Sequence, residues 1–186
     1  MIFGIIALVV IVAVVLWGVS AYNGLVTLRN CVKNGWSQID VQLKQRADLI
    51  PNLVQTVKGY AAHESQVLTQ VTQARANALQ AAQSGDVQQR IQAENQLSRA
   101  IMNLQAVAEA YPQLQANQNF LDLQGQLKAL EEKIAYARQF YNDVVQKYNT
   151  KIEVVPTNIV AGLFHFEQAA YFQVDEADRQ APQVKF

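Results

Sequence analysis

The sequence predicts an all-α protein in which an N-terminal transmembrane helix continues into an antiparallel up-and-down four-helix bundle with long helices. Three observations predict this class. An uncharged apolar run opens the chain, four apolar stripes at helical spacing follow it, and glycine and proline are scarce, with 8 and 4 copies in 186 residues. One-sided stripes are typical of helices that bury one face, and few turn-forming residues favour long helices.

The first element is an apolar run from Ile2 to Val19, which contains no charged side chain. As a helix, this run would span roughly 27 Å, close to the thickness of a bilayer core. Trp17 and Tyr22 lie near its end, where aromatic rings favour the headgroup region. A cleaved signal peptide is the alternative, but no basic residue precedes the run, as a signal peptide requires. We therefore predict that residues 1–22 are a transmembrane anchor.

The orientation of this anchor follows from the charges beside it. The first charged residue is Arg29, Lys33 follows, and nothing basic precedes the run. The positive-inside rule then places the body in the cytoplasm and the N-terminus outside. Because the bias rests on two charges, the opposite orientation, with the body in the periplasm, stays open.

Four apolar stripes define the body. Their members recur every three or four residues, and the first stripe starts where the anchor ends, so the anchor should run straight into the first body helix. The predicted helices cover residues 23–48, 51–83, 87–110 and 113–151. The stripes contain Leu25, Leu28, Val32, Trp36, Ile39 and Leu43; Leu53, Val57, Ala61, Leu68 and Val71; Ile91, Leu97, Ile101, Leu104 and Ala108; and Leu114, Phe120, Leu127, Leu130, Ile134, Tyr141, Val145, Tyr148 and Ile152.

The breaks between helices carry recognisable signals. Asp48 followed by Pro51 is typical of a helix start, although a kink in one continuous helix is the alternative. The sequence Ser84-Gly85-Asp86 predicts a helix end, a turn and a new N-cap. The Tyr111–Pro112 step predicts the end of the third helix, because a residue before proline avoids the helical region.

The C-terminal tail, residues 153–186, is partly apolar. An even number of body helices returns the chain to the membrane, so the tail after Pro156 should lie near the bilayer. It either enters the interface or packs on the end of the bundle or on a neighbouring copy. The last residues, 175–186, are expected to be disordered.

Composition narrows the function classes. The chain carries 15 basic and 15 acidic side chains and has a net charge of zero, which argues against a nucleic-acid partner. One cysteine precludes an internal disulfide, and two histidines leave little for a His-built metal centre. We expect no cofactor, no metal and no catalytic residues.

Three carboxylates in the body are the main candidates for chemistry. Glu64, Glu94 and Glu109 lie near the second and third stripes, and a pair of them could act as acid and base or hold a metal. The motif that begins at His63 lacks the second histidine of a zinc-protease helix, because Val67 occupies that position. The favoured interpretation is structural: a buried Glu meets Arg, Gln or Tyr and sets the helix register.

A Tyr-Asn pair occurs twice at a spacing of seven residues, which places both pairs on nearly one helix face. A tyrosine can pack inward while the neighbouring amide bonds at the rim, so we expect an interhelical or intersubunit contact. The residues expected to determine helix packing or to contact partners are Trp36, Asp40, Asp48, Pro51, Glu64, Glu109, Tyr111, Pro112, Tyr141, Asn142, Tyr148 and Asn149.

Three blocks of the sequence resemble the LemA family. They are WSQIDVQLKQRADLIPNLVQTVKGYAAHE (36–64), AVAEAYPQLQANQNF (106–120) and YNDVVQKYN (141–149). The resemblance covers nearly all of residues 20–170 and implies a single-pass protein of the bacterial inner membrane with a helical-bundle body. It carries over no catalytic residues, and some family members are associated with membrane remodelling, including magnetosome formation.

Three functions are compared on these grounds. The favoured one is a non-enzymatic, membrane-anchored scaffold of the LemA type that binds the bilayer and forms a homo-oligomer, because weakly charged, glutamine-rich faces impose little repulsion. The alternative is an adaptor or sensor that presents the bundle to a membrane protease or signalling protein. The third is a metal-binding bundle enzyme that uses Glu64, Glu94 or Glu109.

Overall fold

The computed structural model describes residues 2–173, and all regular secondary structure in this range is helical, which confirms the predicted class. The predicted disordered end, residues 175–186, lies outside the described residues. The six helices are α1 (Ile2–Lys58), α2 (Ser65–Ser84), α3 (Val87–Glu109), α4 (Pro112–Gln115), α5 (Gln118–Glu153) and α6 (Thr157–Leu163).

The anchor and the first body helix form one uninterrupted helix, α1, as the sequence predicts. The apolar N-terminal part of this helix is not buried against the rest of the described chain. This helix is long and apolar enough to cross a membrane.

The predicted break between residues 48 and 51 is wrong, since α1 continues through Pro51 and Asp48 is an exposed residue within it. Proline cannot donate to the carbonyl four residues earlier, which here belongs to Ala47. That carbonyl is instead bound by Arg75 of α2, whose Nε donates to it at 2.7 Å. A helix interior tolerates proline when another group satisfies the freed carbonyl, so the kink alternative is nearer to the structure than the helix start.

The first helix break lies further along the chain. α1 ends at Lys58, and α2 begins at Ser65 instead of residue 51. The helix ends just before Gly59, whose high conformational entropy makes it a poor helix former.

The next connection follows the sequence prediction. Gly85 ends α2 in the left-handed region with φ of 74°, where glycine has no steric penalty. The Asp86 carboxylate then accepts hydrogen bonds from the backbone N–H groups of Gln88 at 2.8 Å and Gln89 at 3.2 Å. The predicted turn and N-cap are confirmed.

The Tyr111–Pro112 step also ends α3 as predicted, with Pro112 as the first residue of α4. The long helix that follows begins at Gln118, five residues later than predicted. Asn117 explains the difference, because its side-chain oxygen accepts from the backbone N–H of Phe120 at 3.0 Å and starts a new helix.

The chain forms two compact units. The first contains residues 2–38 and 139–171, and the second contains residues 39–138 together with Phe172 and Gln173. In the first unit, the α1 and α5 segments pack through their predicted stripes, and α6 joins them. Its buried apolar residues include Leu25, Val32, Tyr141, Val144, Val145, Tyr148, Val160, Ala161 and Phe166.

The second unit is an up-and-down bundle of the α1 segment, α2, α3 and the α5 segment. α2 and α3 are antiparallel because only two residues join them. α1 and α5 are also antiparallel, since Arg46 meets Glu131 while Tyr60, after α1, meets Asn117, before α5. The core consists of Ile50, Leu53, Val57, Ala61, Leu68, Val71, Ala74, Ala78, Ala93, Leu97, Ala100, Ile101, Leu104, Ala108, Leu114, Phe120 and Leu127.

Candidate functional site

A network of charged side chains lies inside the second unit, and Arg46 is at its centre. The side chains of Arg46 and Glu94 are both 0% exposed, and Nη2 of the arginine lies 2.6 Å from Oε2 of the glutamate. Nη1 of Arg46 donates to Glu131 at 2.7 Å and to the hydroxyl of Ser98 at 2.9 Å. One arginine of α1 therefore binds α3 and α5 together.

A second arginine, Arg90 of α3, extends this network. It lies 3.1 Å from the other oxygen of Glu94 and 3.2 Å from the partly exposed Asp40 of α1. Its Nη1 also donates to the carbonyl of Ala78 in α2 at 2.6 Å. The Glu94 carboxylate therefore lies between two guanidinium groups and has no access to solvent.

A third arginine, Arg138 of α5, borders the network. Burial is the main cause that lowers the pKa of Arg138 to about 10, with a further contribution from the positive charge of Arg46. Its guanidinium carbon lies 4.3 Å from the centre of the Phe172 ring, a cation–π distance. The neighbouring Asn95 donates to the carbonyl of Gln173 at 3.2 Å, so residues 172 and 173 contact α3 as well as α5.

The charges of this network are paired, because Arg46 and Arg90 each contact Glu94 and a second carboxylate, and such pairing indicates a structural role. A buried carboxylate that is paired with two arginines links the helices that carry them. Within residues 2–173, no three His, Cys, Asp or Glu side chains come close enough together to hold a metal ion. The contacts of Glu94 with Arg46 and Arg90 are of the kind that the structural interpretation describes.

The other two candidate carboxylates are not near Glu94. Glu64 lies before α2, where it accepts a hydrogen bond from the Tyr111 hydroxyl at 3.2 Å, so this tyrosine ties the start of α2 to the end of α3. Burial, the bond to Glu64 and the charge of Glu64 all raise the pKa of Tyr111. Glu109 is exposed, and only its backbone carbonyl takes part in a described contact, with Gln115 at 3.0 Å.

The Tyr-Asn repeat of α5 holds the C-terminal strap, which we define as residues 166–171. The Tyr141 hydroxyl donates to the carbonyl of Ala170 at 2.8 Å. The Asn149 amide makes two bonds of 2.9 Å with Ala169, one to its carbonyl and one from its N–H. Burial raises the pKa of Tyr141 to about 12, so the phenol stays a donor at neutral pH.

The remaining members of the predicted set surround this contact. Trp36 of α1 packs on the Tyr141 ring with centroids 5.6 Å apart. Tyr148 is buried in the first unit, which raises its pKa against the opposing effect of the Arg29 charge. Asn142 is partly buried on the same helix. The expected interhelical contact of Tyr141 is present, and the structure adds a strap that the sequence analysis missed.

Replacing Asn149 by alanine should release the strap. Two hydrogen bonds to Ala169 are lost, and a net loss of about 1–2 kcal/mol makes local opening roughly tenfold more frequent. The measurement is amide hydrogen exchange of Ala169 in the full-length protein. Thr150→Ala changes the next residue, which is exposed, and is the matched control. Equal exchange of Ala169 in both variants would contradict the role of Asn149 in holding the strap.

Sequence reasoning also missed Arg46 and Arg90, although a signal existed. Arg46 lies three residues after Leu43 and four before Ile50, which is a stripe position. A charged residue at a core position of an amphipathic helix indicates a buried partner. Arg46 and Ile50 continue the helical spacing from Leu43 to Leu53 across Pro51. This spacing is compatible with one continuous helix.

Comparison with known proteins decides the family. The LemA family model matches residues 35–186, which include α2 to α6 and α1 from residue 35 onward. The chain belongs to the LemA family. The resemblance drawn from the three sequence blocks is thereby confirmed.

Relatives of this LemA family chain include a magnetosome protein and a mycoplasma protein. It is 25% identical over 175 residues to magnetosome protein MamQ 1 of Paramagnetospirillum magneticum, a match that covers 82% of this chain and 64% of that protein. It is 26% identical over 159 residues to protein LemA of Metamycoplasma hominis, which covers 84% and 71%. The match thus spans somewhat less than two thirds of the length of the magnetosome relative.

Proposed function

We propose that this LemA family protein is a non-enzymatic scaffold that is anchored in the bacterial inner membrane and associates with further copies of itself. The observation that carries the proposal is the continuity of α1 from its apolar segment into the body. An exposed apolar segment continues without a break into a helical body whose buried carboxylate, Glu94, is held between two arginines. Arg29 and Lys33, which follow the apolar run, favour a cytoplasmic body.

Self-association is supported by the exposed face of α2. This helix carries a single charged side chain, Arg75, which is bound to the carbonyl of Ala47. Amide side chains recur along it at steps of three and four residues, so they share one face. They are Gln66, Gln70, Gln73, Asn77 and Gln80.

An amide face of this kind is self-complementary. Each amide donates and accepts hydrogen bonds, so identical faces related by a two-fold axis can pair without charge repulsion. Within the face, Gln73 already donates to Asn77 at 3.0 Å. The face also borders a groove of about 280 Å³ between α2 and α3, which is lined by uncharged side chains only, including Gln89, Gln92 and Gln96.

The test is the mass of the full-length protein in a mild non-ionic detergent over a range of concentrations. We expect an oligomer whose mass is a multiple of the protomer mass, and we expect this oligomer to dissociate on dilution. Gln73→Glu combined with Gln80→Glu should weaken association at least about fivefold, because like charges would face each other across the interface, at roughly 1 kcal/mol or more.

A matched control places the same two charges elsewhere. Gln124→Glu with Gln126→Glu changes exposed residues of α5 and should leave the mass unchanged. If both double variants weaken association equally, the α2 face is not the interface. A strict monomer at every concentration overturns self-association and leaves the adaptor alternative.

A further inference from the structure

α6 belongs to an uncharged segment with two apolar faces. Residues 154–166 contain no Asp, Glu, Lys or Arg. One face of α6 packs into the first unit through Val160 and Ala161. Val155, Ile159 and Leu163, spaced by four residues, are 77%, 67% and 71% exposed. Ile159 and Leu163 lie on α6, and Val155 lies just before its start. Exposing three large apolar side chains to water in so short a segment is unfavourable.

Aromatic contacts hold this segment beside the end of the anchor. The Phe164 ring lies with its centroid 4.7 Å from that of Tyr22 in α1, and the Phe166 ring lies 5.7 Å from Tyr22. Phe164 itself is 52% exposed. The position of α6 along α1 is therefore defined by Tyr22.

The length of the anchor relates this position to a bilayer. Residues 2–22 rise by about 31 Å as a helix, close to the ~30 Å of a hydrocarbon core, so Tyr22 would lie at the interface. Arg29 is two turns further, about 10 Å beyond Tyr22, at the depth of the headgroup phosphates. Its guanidinium carbon lies 5.0 Å from the centre of the Phe166 ring.

We propose that α6 and the residues beside it are an interfacial element, whose exposed side chains Val155, Ile159, Leu163 and Phe164 enter the headgroup region of the bilayer that α1 crosses. The occupant is the lipid surface, because the same unit carries the membrane-crossing segment and Tyr22 places α6 at its end. Aromatic side chains and a cation at this depth are typical of interfacial anchoring. The inference rests on the membrane anchoring proposed above.

Spin labels on single cysteines test the inference in the full-length protein. Cys31 is the only cysteine, so Cys31→Ser provides a clean background. Leu163→Cys is labelled and reconstituted into phosphatidylglycerol–phosphatidylcholine nanodiscs that hold one copy each. Val19→Cys in the anchor is the lipid reference, and Asp143→Cys on the exposed side of α5 is the water reference.

We expect the label at position 163 to collide more with oxygen than with a water-soluble nickel chelate, as at position 19 and unlike position 143. Water-like collisions at 163 with lipid-like collisions at 19 overturn the inference and leave the anchor intact. Water-like collisions at both positions overturn the anchor. The measurement is repeated in larger discs that hold several copies. If the label at position 163 is shielded from the nickel chelate only in these larger discs, a second copy covers this surface and the inference fails.

Discussion

Replacing Glu94 by leucine should destabilise the bundle of the second unit by about 3–5 kcal/mol. The substitution leaves Arg46 without its shortest buried ion pair, at 2.6 Å, and removes the carboxylate that separates it from Arg90. Losing one partner of a buried pair leaves an uncompensated charge in a low-dielectric site. Urea unfolding of the full-length protein in detergent, followed by far-ultraviolet circular dichroism, measures the change.

Two comparisons separate this effect from a general loss of packing. Glu131→Gln removes the other carboxylate of Arg46, but Glu131 is 39% exposed, so the cost should be about 1 kcal/mol or less. Arg46→Met combined with Glu94→Leu should recover part of the stability, since apolar residues can replace a buried pair. A loss below about 1 kcal/mol for Glu94→Leu would show that the network is not rigidly buried.

Replacing Leu97 by aspartate should unfold the same bundle. Leu97 is fully buried in α3 and packs in the core of the second unit, so the new carboxylate would have neither water nor a designated partner. Burying an unpaired charge costs several kcal/mol, which is comparable to the whole stability of a domain of this size. Thermal melting of the helical signal is the measurement.

Met102→Asp is the matched control, because Met102 lies on the exposed side of the same helix. Its melting temperature should stay close to that of the wild type. Ile134→Asp, in the buried stripe of α5, should behave like Leu97→Asp. Near-wild-type melting of either core variant would show that the third or fourth stripe does not face the core.

The stripes illustrate what periodicity alone can predict. Every member of the second and third stripes is buried, and of the fourth stripe only Ile152 is merely half-buried. Burial repeats every three or four residues because a helix turns once in 3.6, so local sequence contains this information. The cap at Asp86 and the break before Pro112 are equally local, since each acts on its own neighbouring backbone.

The buried network was harder to predict because its members are far apart in sequence. Arg46 and Glu131 are separated by 85 residues, and nothing around either one identifies the other. Glu94 was a candidate, but its two arginine partners were not, since a charged residue in a stripe is compatible with an exposed face. The strap was hard to predict for the same reason, because Asn149 and Ala169 are 20 positions apart in the sequence.

The all-α class, the apolar segment, the helix faces and the capped turns can be predicted from local sequence, because each depends on interactions between residues a few positions apart. The position at which α1 ends depends instead on contacts between distant parts of the chain. Pro51 weakens a helix locally, and the carbonyl of Ala47 that it leaves free is satisfied by Arg75, which comes 28 residues later in the chain. A local rule therefore predicts a break where a distant side chain preserves the helix.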